Sequence, residues 1–599
     1  MEEINLSGLI SNKEILSVEK PGRYIGEEIN VVKKPDPVKL SVALAFPDTY
    51  EIGMSHVGMK ILYHLLNSVP EVRAERVFVP WPDMGALISR KGIPLYSLEG
   101  KLPVASFDLL GISLQHELNY TNVLYLLDLA GIPFYSVERD ERFPLVVGGG
   151  PCVFNPEPVA PFFDFFFLGE AEEGFLEIVE VLVASRGEKK QDRLAQLAKI
   201  EGVYVPSLYP PRLLGQEPQG DSSLKPVKKR WIKDLDRAFY PTTLVVPYVS
   251  IVHDRIPIEI SRGCTRGCRF CQAGMIYRPH RERSPERIRE LAESLVRSTG
   301  YEEVSLVSLS STDYSEIETL IRDLSLMLEP FRVNISLPSL RVDTFSVEIA
   351  RSLQRVRKSG LTFAPEAGTE RLRRVINKNL TDQEILSTME RVFAAGWQDV
   401  KLYFMIGLPG EREEDLIGIV RLIADILAVG KQHQRKASLH LSAAAFIPKP
   451  HTPFQWVAQE QKENLEEKAR FLSSQLRRFG KRVRFNWPSF EMSSIEALLA
   501  RGDRKLAPVI ERVYRKGGIM QNWTEFFSFE QWCSALEEEY LSLEGYIYRE
   551  LPFSAPLPWD FVSCGVSKEF LWNEYQKARK EEPTPFCQEG RNCFGCGVC

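Results

Sequence analysis

Ser261-Arg-Gly-Cys264-Thr-Arg-Gly-Cys268-Arg-Phe-Cys271 is the stretch that decides how the chain is interpreted. Its three cysteines follow an apolar segment predicted as a strand, and its glycines let three thiolates converge on one metal centre. A structural zinc site normally takes four ligands. A cubane iron–sulfur cluster held by three cysteines keeps one iron open for a further ligand. The spacing therefore favours a cluster over a zinc site completed by His280.

This stretch opens a series of alternating strands and helices. The predicted strands are Ile256–Ser261, Val304–Ser310, Val333–Ser339, Leu361–Pro365, Val400–Gly407 and Leu439–Phe446. The helices predicted between them are Ser284–Thr299, Ser315–Leu328, Ser346–Val356, Glu370–Val375, Asp382–Ala395 and Arg412–Val429. Over residues 241–455 this pattern predicts a partial (β/α)6 TIM-type barrel, in which chemistry takes place at the carboxyl ends of the strands.

An earlier alternating series covers residues 40–190. Its predicted strands are apolar along their whole length: Leu40–Phe46, Arg76–Val79, Asp108–Ser113, Leu145–Gly150 and Phe163–Leu168. The predicted helices are Met54–Leu66, Met84–Lys91, Tyr120–Ala130 and Glu173–Ser185. Continuous apolar strands separated by helices predict an α/β domain of the doubly wound, Rossmann-like type, which binds its ligand beyond the carboxyl ends of the strands.

The remaining segments complete the predicted domain organisation. Residues 1–39 are expected to form an N-terminal extension, and the Pro- and charge-rich residues 191–240 a linker. Residues 456–582 are predicted to be a mainly helical C-terminal region, beginning with one long charged helix over 455–483. Residues 583–599 form a cysteine-rich tail that is predicted to bind metal.

The tail carries four cysteines, Cys587, Cys593, Cys596 and Cys599. Four thiolates can complete a tetrahedral zinc site or close a second iron–sulfur cluster. The sequence leaves both open and favours iron–sulfur slightly, because the first site already requires cluster assembly. The other three cysteines, Cys152, Cys533 and Cys564, are expected to be buried small apolar residues.

Composition excludes several classes of protein. The chain has 599 residues, of which 44% are hydrophobic and 26% charged, values that exclude disorder or a coiled coil as a description of the whole chain. A net charge of −5 gives no global attraction for nucleic acid. No segment has the pattern of a signal peptide or a membrane span, so the chain is expected to be cytoplasmic, with no membrane partner.

The Cys-x3-Cys-x2-Cys spacing, with Phe270 before the third cysteine, resembles the radical S-adenosylmethionine (SAM) superfamily. The resemblance implies a 4Fe–4S cluster on Cys264, Cys268 and Cys271 and SAM chelated to the open iron. It further implies cleavage of SAM to a 5′-deoxyadenosyl radical after reduction by a protein such as flavodoxin or ferredoxin. The SAM contacts implied at the strand ends are Phe270, Ser308, Ser310, Ser311, Glu366, Gly368, Gly407 and Gly410.

Val146-Val-Gly148-Gly149-Gly150-Pro151, followed by Phe167-Leu-Gly169-Glu170, resembles the cobalamin-binding half of B12-dependent radical SAM proteins. The implied cobalamin contacts are Ser113, Gln115, Gly148, Gly149, Gly150, Gly169 and Glu170. His116, Glu117 and Tyr120 are further candidates at the same strand end. His56 lacks the Asp-x-His-x-x-Gly context of a cobalt ligand, so cobalamin is expected to bind without a protein histidine.

The leading functional hypothesis is methyl transfer to an unactivated carbon by a cobalamin-dependent radical SAM enzyme. Alternatives are radical rearrangement, ring closure or sulfur insertion, and a sensor without enzymatic activity. RNA modification is a further alternative, with the basic segments Lys228–Lys233 and Arg501–Lys516 as docking sites. The substrate is a small molecule, a peptide or RNA. Phe446–Trp456 is read either as a substrate entrance or as a rim turn, and Arg262, Arg266 and Arg269 either as charges that offset the cluster or as solvated loop residues.

Overall fold

The computed structural model describes residues 3–217, 225–344, 361–434, 436–587 and 593–598. The chain divides into two units. The first consists of Met1–Asp254, Leu499–Ser542 and Ala555–Ser563, and the second of Arg255–Leu498, Leu543–Ser554 and Cys564–Cys599. The segment 456–582, predicted as one helical region, is thus shared between the two units.

A six-stranded sheet forms the centre of the first unit. Its strands are β1 (Leu40–Phe46), β2 (Val72–Phe78), β3 (Leu109–Ser113), β4 (Leu145–Gly149), β5 (Phe165–Phe167) and β6 (Val203–Tyr204), in the order β2-β1-β3-β4-β5-β6. Neighbouring strands are parallel except for β6, which runs antiparallel to β5. Strands β1 and β2 are buried at every position, as expected of a parallel sheet covered on both faces.

Helices cover this sheet, as the alternating pattern predicts. Those of the first unit are Leu6–Leu9, Asn12–Ile15, Tyr50–Ser55, Val57–Ser68, Pro82–Lys91, Tyr120–Leu129, Ala171–Ala184, Lys190–Leu197, Leu506–Arg515 and Phe529–Glu538. The helix predicted over Met54–Leu66 is two helices, because His56 has an extended backbone and accepts a 3.2 Å hydrogen bond at Nδ1 from the Met59 N–H. His56 therefore caps the second of the two helices.

Strand β2 begins four residues earlier than predicted. Arg73, Glu75 and Arg76 are buried in it, and the polar character of Arg73 and Glu75 had placed the predicted start at Arg76. Burial of Arg76 is offset by two carboxylates, Glu28 at 2.9 Å and Glu99 at 2.5 Å. Both come from other segments of the chain, so the periodicity of β2 alone does not reveal them.

The second unit contains a three-stranded and a four-stranded parallel sheet. The first sheet consists of β8 (Ile256–Glu259), β11 (Glu303–Val307) and β12 (Asn334–Ser336), and the second of β13 (Leu361–Glu366), β14 (Asp399–Ile406), β15 (Ser438–Ala445) and β16 (Val483–Asn486). All six predicted strands are present and succeed one another in the order of a barrel. The α/β fold class is confirmed.

Strand β16 was not predicted. The charged helix expected over 455–483 spans Lys462–Leu476 and is followed by a 3₁₀ segment at Arg477–Arg482. In β16, half-buried Val483 and Phe485 alternate with exposed Arg484 and Asn486. This is the pattern of an edge strand, too short and too polar to stand out in the sequence.

The other helices of the second unit are Ala273–Ile276, Pro285–Thr299, Ile317–Leu328, Glu370–Val375, Asp382–Ala394, Glu413–His433, Phe490–Arg501, Leu543–Tyr546 and Lys568–Arg579. The predicted helix Ser346–Val356 lies outside the described residues. Two short ladders, β9 (Ser261–Arg262) with β10 (Arg281–Glu282) and β7 (Val227–Lys228) with β17 (Val562–Ser563), complete the strands of the two units. None of the described helices combines the length and the apolar run needed to cross a membrane.

Candidate functional site

The loop that carries Cys264, Cys268 and Cys271 is closed at its base by the β9–β10 ladder. Gly263 leaves β9 with a φ of 79°, and a Cβ there would lie 2.5 Å from the carbonyl oxygen of Pro279. Only glycine fits this close approach. The backbone N–H of Gly274 donates a 3.3 Å hydrogen bond to the Sγ of Cys271. The loop is therefore held at both ends.

The three thiols lie close enough to affect one another. Burial and the neighbouring Cys268 raise the pKa of Cys271 to about 12, and the same two causes raise the pKa of Cys264. The three thiols thus share one small region of the protein, in which a bound metal centre would stabilise the thiolate forms.

Charged residues that the sequence analysis did not single out surround this loop. Arg266 pairs with Asp313 after β11 and, at 3.1 Å, with Asp343 after β12. Asp343 also accepts a 2.9 Å hydrogen bond from Arg341. The nearby Cys268 thiol is among the groups that raise the pKa of Arg341. Asp313, Arg341 and Asp343 follow strand ends of the barrel, a placement that could have marked them as candidates.

The three arginines of the cysteine loop are all paired. Arg262 donates to Glu259 at 2.9 Å, and Arg266 is paired as described above. Arg269 is fully buried and donates to Glu574 and to the carbonyl oxygens of Val375 and Glu582. None of them is a solvated loop charge. Arg269 acts as a structural clamp whose charge is offset by Glu574.

The serines predicted to contact SAM form a compact turn after β11. The hydroxyl of Ser308 donates to that of Ser311 at 3.1 Å, and the Ser310 hydroxyl donates to Asp313 at 2.7 Å. The buried hydroxyl of Ser311 donates to the carbonyl oxygen of Pro338. These bonds fix the turn, and Ser308 is the most exposed of the three serines.

Glu366 ends β13 in a left-handed conformation, with a φ of 67°. The register of β13 against β14 shifts just before it, so the strand bulges at this point. Its carboxylate pairs with Lys378 at 2.9 Å and contributes to the raised pKa of Cys271. A non-glycine residue held in this conformation at the site is a functional candidate.

The three glycines predicted near SAM have different surroundings. A Cβ on Gly368 would lie 2.2 Å from the carbonyl oxygen of Asp415, so this glycine allows the helix Glu413–His433 to pack closely. Gly407 has a φ of 74° and its N–H donates to Glu411 at 3.1 Å. Gly410 also has a φ of 74°, and a Cβ there would meet nothing closer than 4.0 Å. A Cβ on Gly407 would lie 2.8 Å from Leu465, so of these three glycines only Gly410 has open space around it.

Phe270 is partly buried against an apolar cluster at the same strand ends. This cluster includes Leu408 and is also contacted by Met405, both from the segment that ends β14. Phe270 therefore joins the cysteine loop to the Gly407–Gly410 turn.

The C-terminal tail lies against the cysteine loop. The N–H of Cys587 donates a 2.8 Å hydrogen bond to the carbonyl oxygen of Thr265. Cys587 is half-buried, Cys593 exposed and Cys596 buried. Cys599 lies outside the described residues.

In the first unit, Gly148, Gly149 and Gly150 end β4 and differ in their surroundings. A Cβ on Gly148 would lie 2.6 Å from the Phe166 ring, so that position serves packing. A Cβ on Gly149 would meet nothing within 4 Å. Gly150 has a φ of 111°, and a Cβ there would lie 2.5 Å from the carbonyl oxygen of Leu114. Gly149 is therefore the position with open space for a ligand.

Ser113 and Gln115 lie at the neighbouring end of β3, where the Gln115 side chain donates to the Ser113 hydroxyl at 3.0 Å. Gln115 also bonds to His56, whose pKa is lowered to about 4 by burial. His116 accepts a 3.2 Å hydrogen bond from the Leu118 N–H, and Glu117 and Tyr120 are buried. The carboxyl ends of β3 and β4 thus bring Ser113, Gln115 and Gly149 to one edge.

Gly169 and Glu170 hold another segment of the first unit instead of facing an open space. A Cβ on Gly169 would lie 2.0 Å from the carbonyl oxygen of Arg230. Glu170 accepts a 2.8 Å hydrogen bond from the Ile232 N–H. The structure thus assigns both residues a packing role.

The structure bears on the interpretations of three surface segments. Phe446, Phe454 and Trp456 are buried, so Phe446–Trp456 is not an exposed aromatic entrance. In the basic segment Arg501–Lys516, Arg504 pairs with buried Glu157, while Arg512 and Lys516 pair with Glu538. Lys229, in the segment Lys228–Lys233, is buried as well. The paired charges thus belong to Arg501–Lys516, whereas Lys228 and Lys233 at the ends of the other segment are exposed.

Comparison with known proteins gives two family matches. Residues 58–206 match the N-terminal family of radical SAM proteins, and residues 258–423 match the radical SAM superfamily. An uncharacterized protein of Methanocaldococcus jannaschii is 29% identical over 474 residues, which cover 79% of this chain and 90% of that protein. An uncharacterized methyltransferase of Pyrococcus horikoshii is 26% identical over 290 residues, 47% of this chain and 58% of that protein.

Among solved structures, the chain is similar to the radical SAM methyltransferase TsrM of Kitasatospora setae with cobalamin and a 4Fe–4S cluster bound. The similarity covers 70% of this chain and 76% of that one, with a TM-score of 0.48 and 13% sequence identity.

Proposed function

The chain belongs to the radical SAM superfamily, and we propose that it is a cobalamin-dependent enzyme that transfers a methyl group to an unactivated carbon. The observation that carries this proposal is the loop after β8, which holds Cys264, Cys268 and Cys271 between the tight turn at Gly263 and the hydrogen bond from Gly274 to Cys271. Three thiolates leave one iron of a cubane cluster open.

In this proposal the three cysteines hold a 4Fe–4S cluster, which when bound to SAM supplies the electron for cleavage to a 5′-deoxyadenosyl radical. The chain itself positions SAM and excludes water. Glu366 at the end of β13 and the open backbone at Gly410 supply polar and backbone contacts, and Phe270 supplies an apolar surface. The pair Arg266–Asp313 fixes the turn at Ser308–Ser311 next to the cysteines.

Cobalamin is assigned to the first unit. Support comes from the open space above Gly149 and from Ser113 and Gln115 at the same edge of a parallel sheet. A planar ring can approach a backbone that has no Cβ. Ligands of such sheets bind beyond the carboxyl ends of the strands. His56 is not required as a ligand in this proposal, because its Nδ1 already caps a helix.

The proposal implies a one-electron reductant of the flavodoxin or ferredoxin type and a reducing compartment such as the cytoplasm. The substrate class, whether small molecule, peptide or RNA, is left open. RNA docking is not favoured for Arg501–Lys516, because Arg504, Arg512 and Lys516 are paired with carboxylates. Rearrangement and sulfur insertion differ from methyl transfer in the fate of the methyl group, which the experiment distinguishes.

The test is anaerobic purification with added cobalamin, followed by incubation with SAM labelled at the methyl group and a low-potential reductant. Retention of about one cobalamin per chain and movement of the label from SAM to cobalamin would support the proposal. A matched Gly149→Leu variant should lose cobalamin while keeping its iron. Failure of the wild type to retain cobalamin, with SAM cleavage intact, would exclude the cobalamin-dependent reaction and favour a rearrangement or sulfur insertion.

A further inference from the structure

We propose that Lys401, His440 and Arg484 bind a phosphate group of the substrate, which is therefore a phosphorylated small molecule. These three side chains are called the cation row. The inference deepens the proposed function and rests on it, because it assigns a chemical class to the molecule that receives the methyl group. The cation row lies within the second unit and contains none of the residues predicted to contact SAM or cobalamin.

The four-stranded sheet β13–β16 has one covered face and one open face. Its strands are parallel, follow one another in chain order and have helices between them. Right-handed crossovers place all of these helices on the same side of the sheet. In β14, Val400, Leu402 and Phe404 are buried, and the residues that alternate with them, Lys401 and Tyr403, are exposed. The buried side chains face the helices, so the exposed ones face the inside of the barrel.

The cation row crosses three neighbouring strands on this inner face. Lys401 of β14 is the register partner of His440 of β15, which is in turn the register partner of Arg484 of β16. Lys401 and Arg484 are exposed, and His440 is half-buried. Neighbouring strands lie about 4.8 Å apart, so the row extends over about 10 Å. Two cationic side chains and one histidine thus face the same space.

Within the part of the chain that the structure describes, no salt bridge offsets these charges. The side chains of Lys401, His440 and Arg484 form neither an ion pair nor a hydrogen bond with another described residue. The ammonium of Lys401 lies 5.1 Å from the centroid of the Tyr403 ring, a contact that leaves its charge uncompensated. Cations held at this spacing repel one another, and a bound anion reverses that cost. The row therefore fits an anionic group of a ligand.

The residues that follow the cation row toward the strand ends suit the rest of such a ligand. Tyr403, Ser442 and Asn486 form the next row on the inner face. Their ring, hydroxyl and amide can stack on a planar polar group and form hydrogen bonds with it. Met405 comes next on β14 and packs against the apolar cluster that Phe270 also contacts. The inner face thus changes from charged to polar to apolar toward the cysteine loop.

The rise of the strand sets the length of the ligand. Lys401 and Met405 are four residues apart on β14, which corresponds to about 13 Å at about 3.3 Å per residue. A molecule of this length with its phosphate at the cation row would have its other end beside Met405, Phe270 and the cysteine loop. A phosphate monoester with one ring system, such as a mononucleotide, has about this length.

A phosphate monoester fits the cation row better than a carboxylate or an RNA backbone does. It carries nearly two negative charges at pH 7 and has three acceptor oxygens, which a guanidinium such as that of Arg484 can bind bidentately. A carboxylate has one charge and two oxygens. An RNA strand binds along an extended positively charged groove, whereas the cation row is short. The charge and the size of the row therefore favour a single phosphate group.

Equilibrium dialysis of the anaerobically reconstituted protein with labelled uridine 5′-monophosphate (UMP) tests the proposal. The wild type is compared with a Lys401→Gln, Arg484→Gln variant and with a charge-matched Lys481→Gln, Arg482→Gln control, whose exposed residues precede β16. The affinity for UMP should fall about tenfold or more in the first variant, because charge-assisted hydrogen bonds are lost. In the control it should change less than about twofold, because only screened surface charges are removed.

The wild type supplies two further readouts that need no change in the cation row. Uridine, which lacks the phosphate, should bind about tenfold or more weakly than UMP. Inorganic phosphate should displace UMP, but with lower affinity, because it cannot reach Tyr403. A Tyr403→Leu variant should accordingly lose affinity for UMP and keep its affinity for phosphate.

Several results would overturn the proposal. These are a wild type that does not bind UMP, equal binding of uridine and UMP, and an equal loss of affinity in the control. Binding of a twelve-residue oligouridylate about tenfold or more tighter than UMP would indicate an extended nucleic-acid surface and would also overturn it.

Cleavage of SAM and retention of cobalamin, measured on the same wild-type preparation, separate this inference from the proposed function. A wild type that cleaves SAM and retains cobalamin but binds no UMP would contradict this inference alone. A wild type that binds UMP through the cation row but retains no cobalamin would contradict the proposed function alone.

Discussion

The backbone N–H of Cys587 donates a 2.8 Å hydrogen bond to the carbonyl oxygen of Thr265. Thr265 directly follows Cys264, so the first cysteine of the tail touches the loop that carries the other cysteine set. The two cysteine groups lie at distant places in the sequence but form one region of the second unit.

Replacement of Arg269 by alanine should detach the tail. The side chain is 0% exposed and bonds to Glu574, Thr584 and the carbonyl oxygen of Glu582. Removal of one partner of a buried ion pair costs about 3–5 kcal/mol. We expect about 3 kcal/mol, because Glu574 keeps Lys577 and Thr584 as partners. Limited proteolysis should then release the residues after Glu582. The control Arg297→Ala, at an exposed position, should stay intact. An Arg269→Ala variant that resists proteolysis as well as the wild type does would show that Arg269 does not hold the tail.

Replacement by valine should lower stability at Gly148 but cobalamin retention at Gly149. Gly148→Val should destabilise the first unit by about 1–3 kcal/mol, because its Cβ would overlap the Phe166 ring. Gly149→Val should leave the unfolding midpoint nearly unchanged and lower cobalamin retention about tenfold, because its Cβ would enter open space. Denaturant unfolding and the cobalamin absorbance of the purified chains measure the two effects. Full cobalamin retention by Gly149→Val would place the cofactor elsewhere.

Much of the fold was accessible from the sequence because its strands are continuous apolar runs. Leu40–Phe46 and the helix Glu370–Val375 match their predictions residue for residue. The start of β2 was missed because Arg73 and Glu75 are polar but buried in the strand. Edge strand Val483–Asn486 was missed because its exposed face is polar.

Some residues of the candidate site could be predicted from the sequence and others could not. Motif spacing singled out the three cysteines, and the resemblance to the radical SAM superfamily implied Glu366, Gly407 and Gly410 as SAM contacts, which stay predictions. Arg341 and Asp343 were missed although they follow a predicted strand, because neither belongs to a recognisable motif. The docking of the tail depends on Asn377 and Arg269, whose partners lie far away along the chain, and no local pattern contains that information.

Gly368 should prove to be a packing residue. A Cβ there would lie 2.2 Å from the Asp415 carbonyl oxygen and 2.3 Å from the Ile419 nitrogen, so the helix would have to move. We expect Gly368→Ala to cost about 1–3 kcal/mol. The SAM dissociation constant of the folded protein should change less than about twofold, measured by equilibrium binding to the reconstituted enzyme. A large loss of SAM affinity with unchanged stability would instead assign Gly368 to the cofactor.

His64 should make the first unit sensitive to acid. Burial, followed by the charges of Arg76 and Lys60, lowers the pKa of His64 from 6.5 to about 4. Protonation therefore favours the unfolded chain, so this contribution to stability is fully present above pH 6.5 and is lost as the pH falls from 6.5 to about 4. The full shift corresponds to about 3 kcal/mol.

Urea unfolding at pH 7.5 and pH 5 measures this effect. His64→Gln should have a smaller difference between the two pH values than the wild type, and His433→Gln, a replacement in the second unit, should not change it. An unchanged pH dependence in His64→Gln would show that other groups cause the acid sensitivity.

The central claim is that Cys264, Cys268 and Cys271 hold the cluster that cleaves SAM. The most direct measurement is anaerobic reconstitution of the wild type and of a variant with all three cysteines replaced by alanine, followed by counts of iron and sulfide and by the yield of 5′-deoxyadenosine with titanium(III) citrate. The variant should hold about four fewer irons than the wild type and form no 5′-deoxyadenosine above background. A wild type that binds no cluster and leaves SAM intact, or a variant that cleaves SAM at the wild-type rate, would contradict it.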